Sequence, residues 1–90
     1  MAAGGGSFTS LSDRSVKTAI EAIDGLAILE RVVDLPISTW SYIAQGTDIR
    51  HIGPMAQDFK AAFEVGETDT GITTIDADGV ALAAIQGLNA

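Results

Sequence analysis

The chain has no cysteine, a single histidine, two prolines and only five basic residues among its 90, and each scarcity closes off a class of protein. Without cysteine no disulfide can staple the fold, and with His51 as the sole histidine no ligand set for structural zinc is present. The few Lys and Arg residues are scattered along a chain of net charge −7. Nucleic acid binding needs a basic stripe that displaces counterions from phosphates, and anionic membrane surfaces need basic clusters too; neither partner is expected. No apolar run approaches the roughly 18 residues that a membrane span requires. Residues 1–10 also lack the charged start and apolar centre of a signal peptide. No cofactor is expected. The absence of cysteine fits any compartment and leaves location open.

What is present is a globular composition, 47% apolar and 19% charged, in one small domain. A domain of this size buries roughly 60% of its unfolded surface, which leaves little margin over chain entropy. With disulfides and metals excluded, self-association is the remaining remedy.

The local pattern predicts an α+β fold of short elements. Residues 2–10, AAGGGSFTS, read as a flexible linker. Asp24 is a candidate N-cap for a helix bearing Leu26, Leu29 and Val33 at helical spacing, which Pro36 stops. ISTWSYI (37–43) is rich in β-branched and aromatic residues and predicts a strand with Trp40 and Tyr42 on one face. AQGTD (44–48) predicts a turn and residues 49–52 a partner strand, making a β-hairpin. Pro54 suits the first turn of a second helix whose apolar face carries Met55, Phe59, Ala62 and Phe63. After a turn at GETDTG, residues 72–75 predict a short strand. Asp76 or Asp78 would then cap a last helix. That helix is apolar on almost every side (Val80, Leu82, Ala83, Ala84, Ile85, Leu88), so it is expected to be buried on more than one face, part of it against another subunit.

Four segments in order carry a resemblance: LSDRSVK (11–17), LPISTWSY (35–42), RHIGPMAQDF (50–59) and DADGVALAAIQGLN (76–89). Together they resemble the chaperone-of-endosialidase family of self-cleaving C-terminal domains. The resemblance places residues 1–11 as a linker or the end of a passenger stalk. Residues 12–90 would be the intramolecular chaperone domain, stopping before a C-terminal coiled coil found in many relatives. It implies a homotrimer that assists the folding of an upstream phage tail fibre or tailspike in the same chain and then releases itself. The implied location is the phage virion tail, or the bacterial cytoplasm during assembly.

The resemblance further implies autoproteolysis between Leu11 and Ser12 by a Ser-Lys dyad, with Ser12 as nucleophile and Lys17 as base, and backbone N–H groups near Ser12 as the default oxyanion donors. A lysine at its ordinary pKa is neutral in only about one molecule in 2,500 at pH 7, so such a base has to be deprived of water. Five residues of α-helix rotate the chain by about 500°, which would point Ser12 and Lys17 roughly 140° apart. Either Ser12 lies in an extended or turn segment, or Lys17 comes from a neighbouring subunit.

Other residues have plainer readings. His51 reads as a structural histidine before a general base, and Gln57 and Asp58 suit a helix N-terminus. Trp40 and Tyr42 read as core or subunit packing before a sugar platform. DTGITTIDADG lacks the ligand alternation and closing glutamate of a calcium loop. Two alternatives of other classes stand beside self-cleavage: a non-cleaving trimerisation cap of a tail fibre, and a receptor-binding adhesin tip.

Overall fold

A computed structural model describes residues 11–90; the linker expected at 2–10 lies outside the described residues. Three helices and one hairpin follow in the order α1 (Gly25–Asp34), β1 (Ser38–Trp40), β2 (His51–Gly53), α2 (Ala56–Phe63) and α3 (Thr74–Leu88), with short 3-10 turns at Arg14–Val16 and Ile43–Gln45. The fold is the expected small α+β domain with a hairpin.

Asp24 starts α1 as expected, its carboxylate accepting from the Leu26 N–H at 3.0 Å. Leu35, held extended before Pro36, ends it. The face that α1 buries differs from the expected one. Ile28 is in the core with Leu29, Val32 and Leu35 against it, whereas Leu26 and Val33 are exposed. In α2, Phe59 and Phe63 enter the core and Ala62 packs against it, their rings 4.9 Å apart. Pro54 is not in the first turn of α2: Met55 is the N-cap and Pro54 precedes it. There its fixed φ guides the chain into the helix from outside.

The strands are shorter than the sequence pattern. Only Ser38–Trp40 and His51–Gly53 pair, antiparallel, with Thr39 opposite Ile52 and Trp40 opposite His51. Beyond Trp40 the chain turns into the 3-10 segment, and Gly46 takes a positive φ of 82°. Side-chain bonds supplement the short ladder. The Arg50 guanidinium donates to the Thr39 hydroxyl at 3.0 Å and to the Ser41 hydroxyl at 3.1 Å, and the Trp40 indole N–H donates to the Gly53 carbonyl at 3.3 Å.

The strand expected at 72–75 is absent, and α3 begins at Thr74. Its cap is Thr73, not Asp76 or Asp78. The Thr73 hydroxyl accepts from the Asp76 N–H at 3.2 Å and donates to the Asp76 carboxylate at 2.9 Å. Ile72, read as a strand residue, instead lays one side chain on the core. Asp76, three residues after the cap, thus bonds back to the cap's hydroxyl and complements the helix dipole.

The helices meet chiefly through α1 and α3. Their crossing is built from small residues: Ala83, Ala84 and Gly87 are the buried positions of α3, and Gly87 lies directly on Gly25. A Cβ at Gly25 would stand 2.7 Å from the Ala83 carbonyl oxygen, and one at Gly87 would collide with the Gly25 carbonyl. Gly79, in the same helix, faces open space.

That contrast yields a stability prediction. Gly87→Ala must spread the two helices and is expected to cost ~2 kcal/mol, lowering Tm by roughly 10 °C. Gly79→Ala removes only the entropy cost of a helical glycine and should raise stability by about 0.5–1 kcal/mol. Thermal melts of the two variants, in either the same or the opposite direction, decide whether the crossing is limited by backbone contact.

Candidate functional site

Ser12 and Lys17 come together in a single chain. The geometry rests on Asp13, which the sequence analysis did not single out. Its backbone is extended (φ −67°, ψ 132°) and its carboxylate caps the 3-10 turn Arg14–Val16, accepting from the Ser15 N–H at 3.0 Å. The Val16 N–H donates to the Asp13 carbonyl at 3.1 Å and the Lys17 N–H to the Arg14 carbonyl at 3.2 Å. One tight turn then doubles the chain back, and Lys17 leaves it extended. The Lys17 amine donates to the Ser12 hydroxyl at 2.7 Å.

Of the two arrangements left open by helical geometry, the single chain therefore has the first: Ser12 lies outside any helix, in the segment before a turn. Three residues per 3-10 turn, with extended residues at both ends, allow an i, i+5 contact that an α-helix forbids. The hydrogen bonds that Ser15 gives Asp13, from backbone first and side chain second, hold its carboxyl below the ordinary carboxylate range, against a small opposing effect of burial. The cap is therefore made by the ionised acid. A Ser or Asp at this place is the usual signal for a turn cap, so Asp13 was legible in principle.

The site is open. Leu11, whose carbonyl precedes Ser12, is 72% exposed. Every residue from 11 to 24 is exposed, and none of them lines the grooves found on the domain. The Ser12–Lys17 pair thus rides on an arm before α1 that adds no buried residue to the core.

The other residues considered lie in structural roles. His51 Nε2 is 3.0 Å from the Gln45 side-chain oxygen. Its ring packs with Trp40 and Tyr42 at centroid distances of 5.1 and 5.0 Å, and those two meet edge-on at 4.8 Å. The three rings cover one another and do not form a flat platform. Beside them lies an open groove of about 490 Å³, reaching to Met55, Gln57 and Thr74, whose lining carries no charged residue. Asp58 sits in the first turn of α2, where a carboxylate suits the dipole. Among the described residues no group of acids and histidine is placed to hold a metal ion, and no helix is long and apolar enough to cross a membrane.

No curated protein and no solved structure matches the chain. A family model does. It is a peptidase family described as chaperone of endosialidase, and it matches residues 12–65. The match opens on Ser12, spans the hairpin and α2, and ends before α3, so the closing block at 76–89 lies outside it. Covering more than half of the sequence, it supports a chaperone role, and the chain belongs to the chaperone-of-endosialidase family.

Proposed function

We propose that this domain is a trimerising chaperone for an upstream phage fibre or tailspike in the same chain, and that it frees itself by cutting before Ser12. The observation that carries the cutting is the 2.7 Å contact between the Lys17 amine and the Ser12 hydroxyl. A neutral Lys17 takes the hydroxyl proton as Ser12 Oγ attacks the Leu11 carbonyl. Backbone N–H groups beside Ser12 are the proposed donors to the oxyanion. The C–N bond then breaks, the proton passes to the departing nitrogen, and Ser12 becomes a new amino terminus esterified on its hydroxyl. Water, deprotonated by the same amine, hydrolyses that ester, leaving a Leu11 carboxylate and a free Ser12 hydroxyl. No cofactor takes part in these steps.

Trimerisation draws support from the balance of the surface. Among the described residues, five apolar side chains form the buried core while seventeen large ones are exposed, among them Leu82, Ile85 and Leu88 of α3. So much exposed apolar surface is the mark of an association face. A compact head that brings three chains together raises the effective concentration of the strands upstream, lowering the loop-closure cost that slows β-rich stalks. The same exposed face also supports the second reading, a trimerisation cap that does not cut. The proposed place of action is the phage tail during assembly.

Expression behind a trimeric β-stalk, with intact mass as readout, tests the reading. Wild type should yield a product starting at Ser12; Ser12→Ala and Lys17→Ala should stay whole, with at least a 10²-fold loss of rate for the lysine variant. Uncut wild-type trimers would leave the cap and remove the catalysis.

Asp13 gives the turn a dependence on low pH. Its folded pKa is depressed, so its contribution to the turn is present above the unfolded value, near 3.9, and is lost as pH falls through the folded one. Asp13→Ala should slow cleavage about tenfold by loosening the turn. Asp13→Asn, which still offers an oxygen to the Ser15 N–H, should retain most of the rate. Equal rates for wild type and Asp13→Ala would show that the cap does not set the dyad.

A further inference from the structure

We infer that the ester formed on Ser12 is resolved by primary amines as well as by water, so that the domain transfers the Leu11 acyl group, and with it the upstream passenger, to an external amine. The inference rests on the self-cleaving reading above and adds to it a second class of acceptor.

The observation that carries it is the openness of the reacting bond. Leu11 is 72% exposed, and Ser12 and Lys17 are exposed as well. The turn that joins them buries no residue. The grooves of the domain are lined from Trp40 onward, by the hairpin, α2, the segment after it and α3, and residues 11–24 line none of them. Among the described residues, nothing beside the bond therefore selects a nucleophile by size or shape. An acyl intermediate is reserved for one acceptor when a site closes around it and shuts out side reactions. This one is held on an exposed turn.

The chemistry of the intermediate makes the choice of acceptor consequential. Once the C–N bond between Leu11 and Ser12 has broken, the departing nitrogen does not leave. It is the α-amine of Ser12, joined to the ester oxygen through that residue's own Cα and Cβ. Tethered groups react at effective concentrations far above those of free solutes, so this amine returns the acyl group to the amide and the ester stays a minor species. Net cutting then depends on how fast an outside nucleophile takes the acyl group.

A primary amine does so in a balanced step. Its nitrogen attacks the Leu11 carbonyl carbon and the bond from that carbon to Ser12 Oγ breaks. The Lys17 amine, 2.7 Å from Ser12 Oγ, passes the proton lost by the attacking nitrogen to the departing oxygen. The products are a passenger ending in a Leu11 amide and a domain with a free Ser12 amine and hydroxyl. Nothing is oxidised or reduced. Amines attack esters more readily than water does, so a dilute amine competes with the solvent.

Hydroxylamine and its O-benzyl ether are the probes. The full chain is made behind the trimeric β-stalk by cell-free synthesis, which is stopped with chloramphenicol, and the uncut chain is divided among buffer and the two amines. Intact mass then reads the end of the passenger. In buffer it should be the Leu11 carboxylate. With hydroxylamine it should be the hydroxamate, heavier by one NH group, with most of the carboxylate lost and cutting several-fold faster. O-benzylhydroxylamine should be taken up to a similar extent, since no pocket excludes its ring. Ser12→Ala should give neither product; a hydroxamate from that variant would mean direct attack on the peptide bond and overturn the inference. Cutting to the carboxylate alone in every condition, or capture of hydroxylamine but not of its benzyl ether, would overturn the open ester and leave self-cleavage standing. If wild type is cut neither with nor without amine, the proteolytic reading fails, and this inference with it.

Discussion

Backbone contact between Gly25 and Gly87 is the constraint on which the rest of the molecule depends. Two helices this close leave no room for side chains between them, so the inner face of α3 has to be Ala83, Ala84 and Gly87. Close packing then yields dispersion contact rather than large apolar area. Because the small residues are spent inward, the bulky ones, Leu82, Ile85 and Leu88, are turned outward. An ordinary amphipathic helix would do the reverse. The same contact fixes where the preceding segment leaves the domain, and hence the side on which Ser12 and Lys17 are presented.

How these features relate to the sequence depends on the range of the interaction involved. Local chemistry was legible. Asp24 caps α1 through its own side chain two residues on, Pro36 limits the helix before it, and the angle between positions five apart excludes a helical dyad without any knowledge of the fold. Choices that depend on the partner surface were not. Leu26, Leu29 and Val33 share a helical spacing, but Ile28, Leu29, Val32 and Leu35 do as well, and only the position of α3 selects the second set. The Gly25–Gly87 approach leaves no pattern that distinguishes it from an exposed glycine such as Gly79.

The misread strand at 72–75 has a similar cause. Ile, Thr, Thr and Ile favour extended backbone, but a strand needs a neighbour to pair with, and the domain offers none there. The competing use of Thr73, whose hydroxyl closes a reciprocal bond with Asp76, prevails because it satisfies donors at the start of a fifteen-residue helix. In β1 the pairing stops at Trp40 for a related reason. Past it, the ring of Tyr42 packs on Trp40 and His51 while the backbone turns into the 3-10 segment Ile43–Gln45. The candidate site followed the opposite course. Its residues were found through motif resemblance, and the turn that unites them through Asp13 follows from short-range hydrogen bonding.

The position of Ser12 relative to the core also bears on release. The buried cluster begins at Ile28, and residues 11–24 contribute no buried residue to it. Among the described residues, a break before Ser12 would therefore separate only the exposed Leu11 from the domain. Nor would it lose the turn, whose bonds all lie among residues 12–17. The basic residues point the same way. Arg31 donates to the Ala62 carbonyl, Lys60 to the Gly66 carbonyl, and Arg50 to two hydroxyls within the hairpin. Three of the five basic residues are thus engaged within the domain, on neutral oxygens, in a chain of net charge −7. Under the proposed trimer, this leaves apolar contact as the attraction between copies and like charge as the opposition.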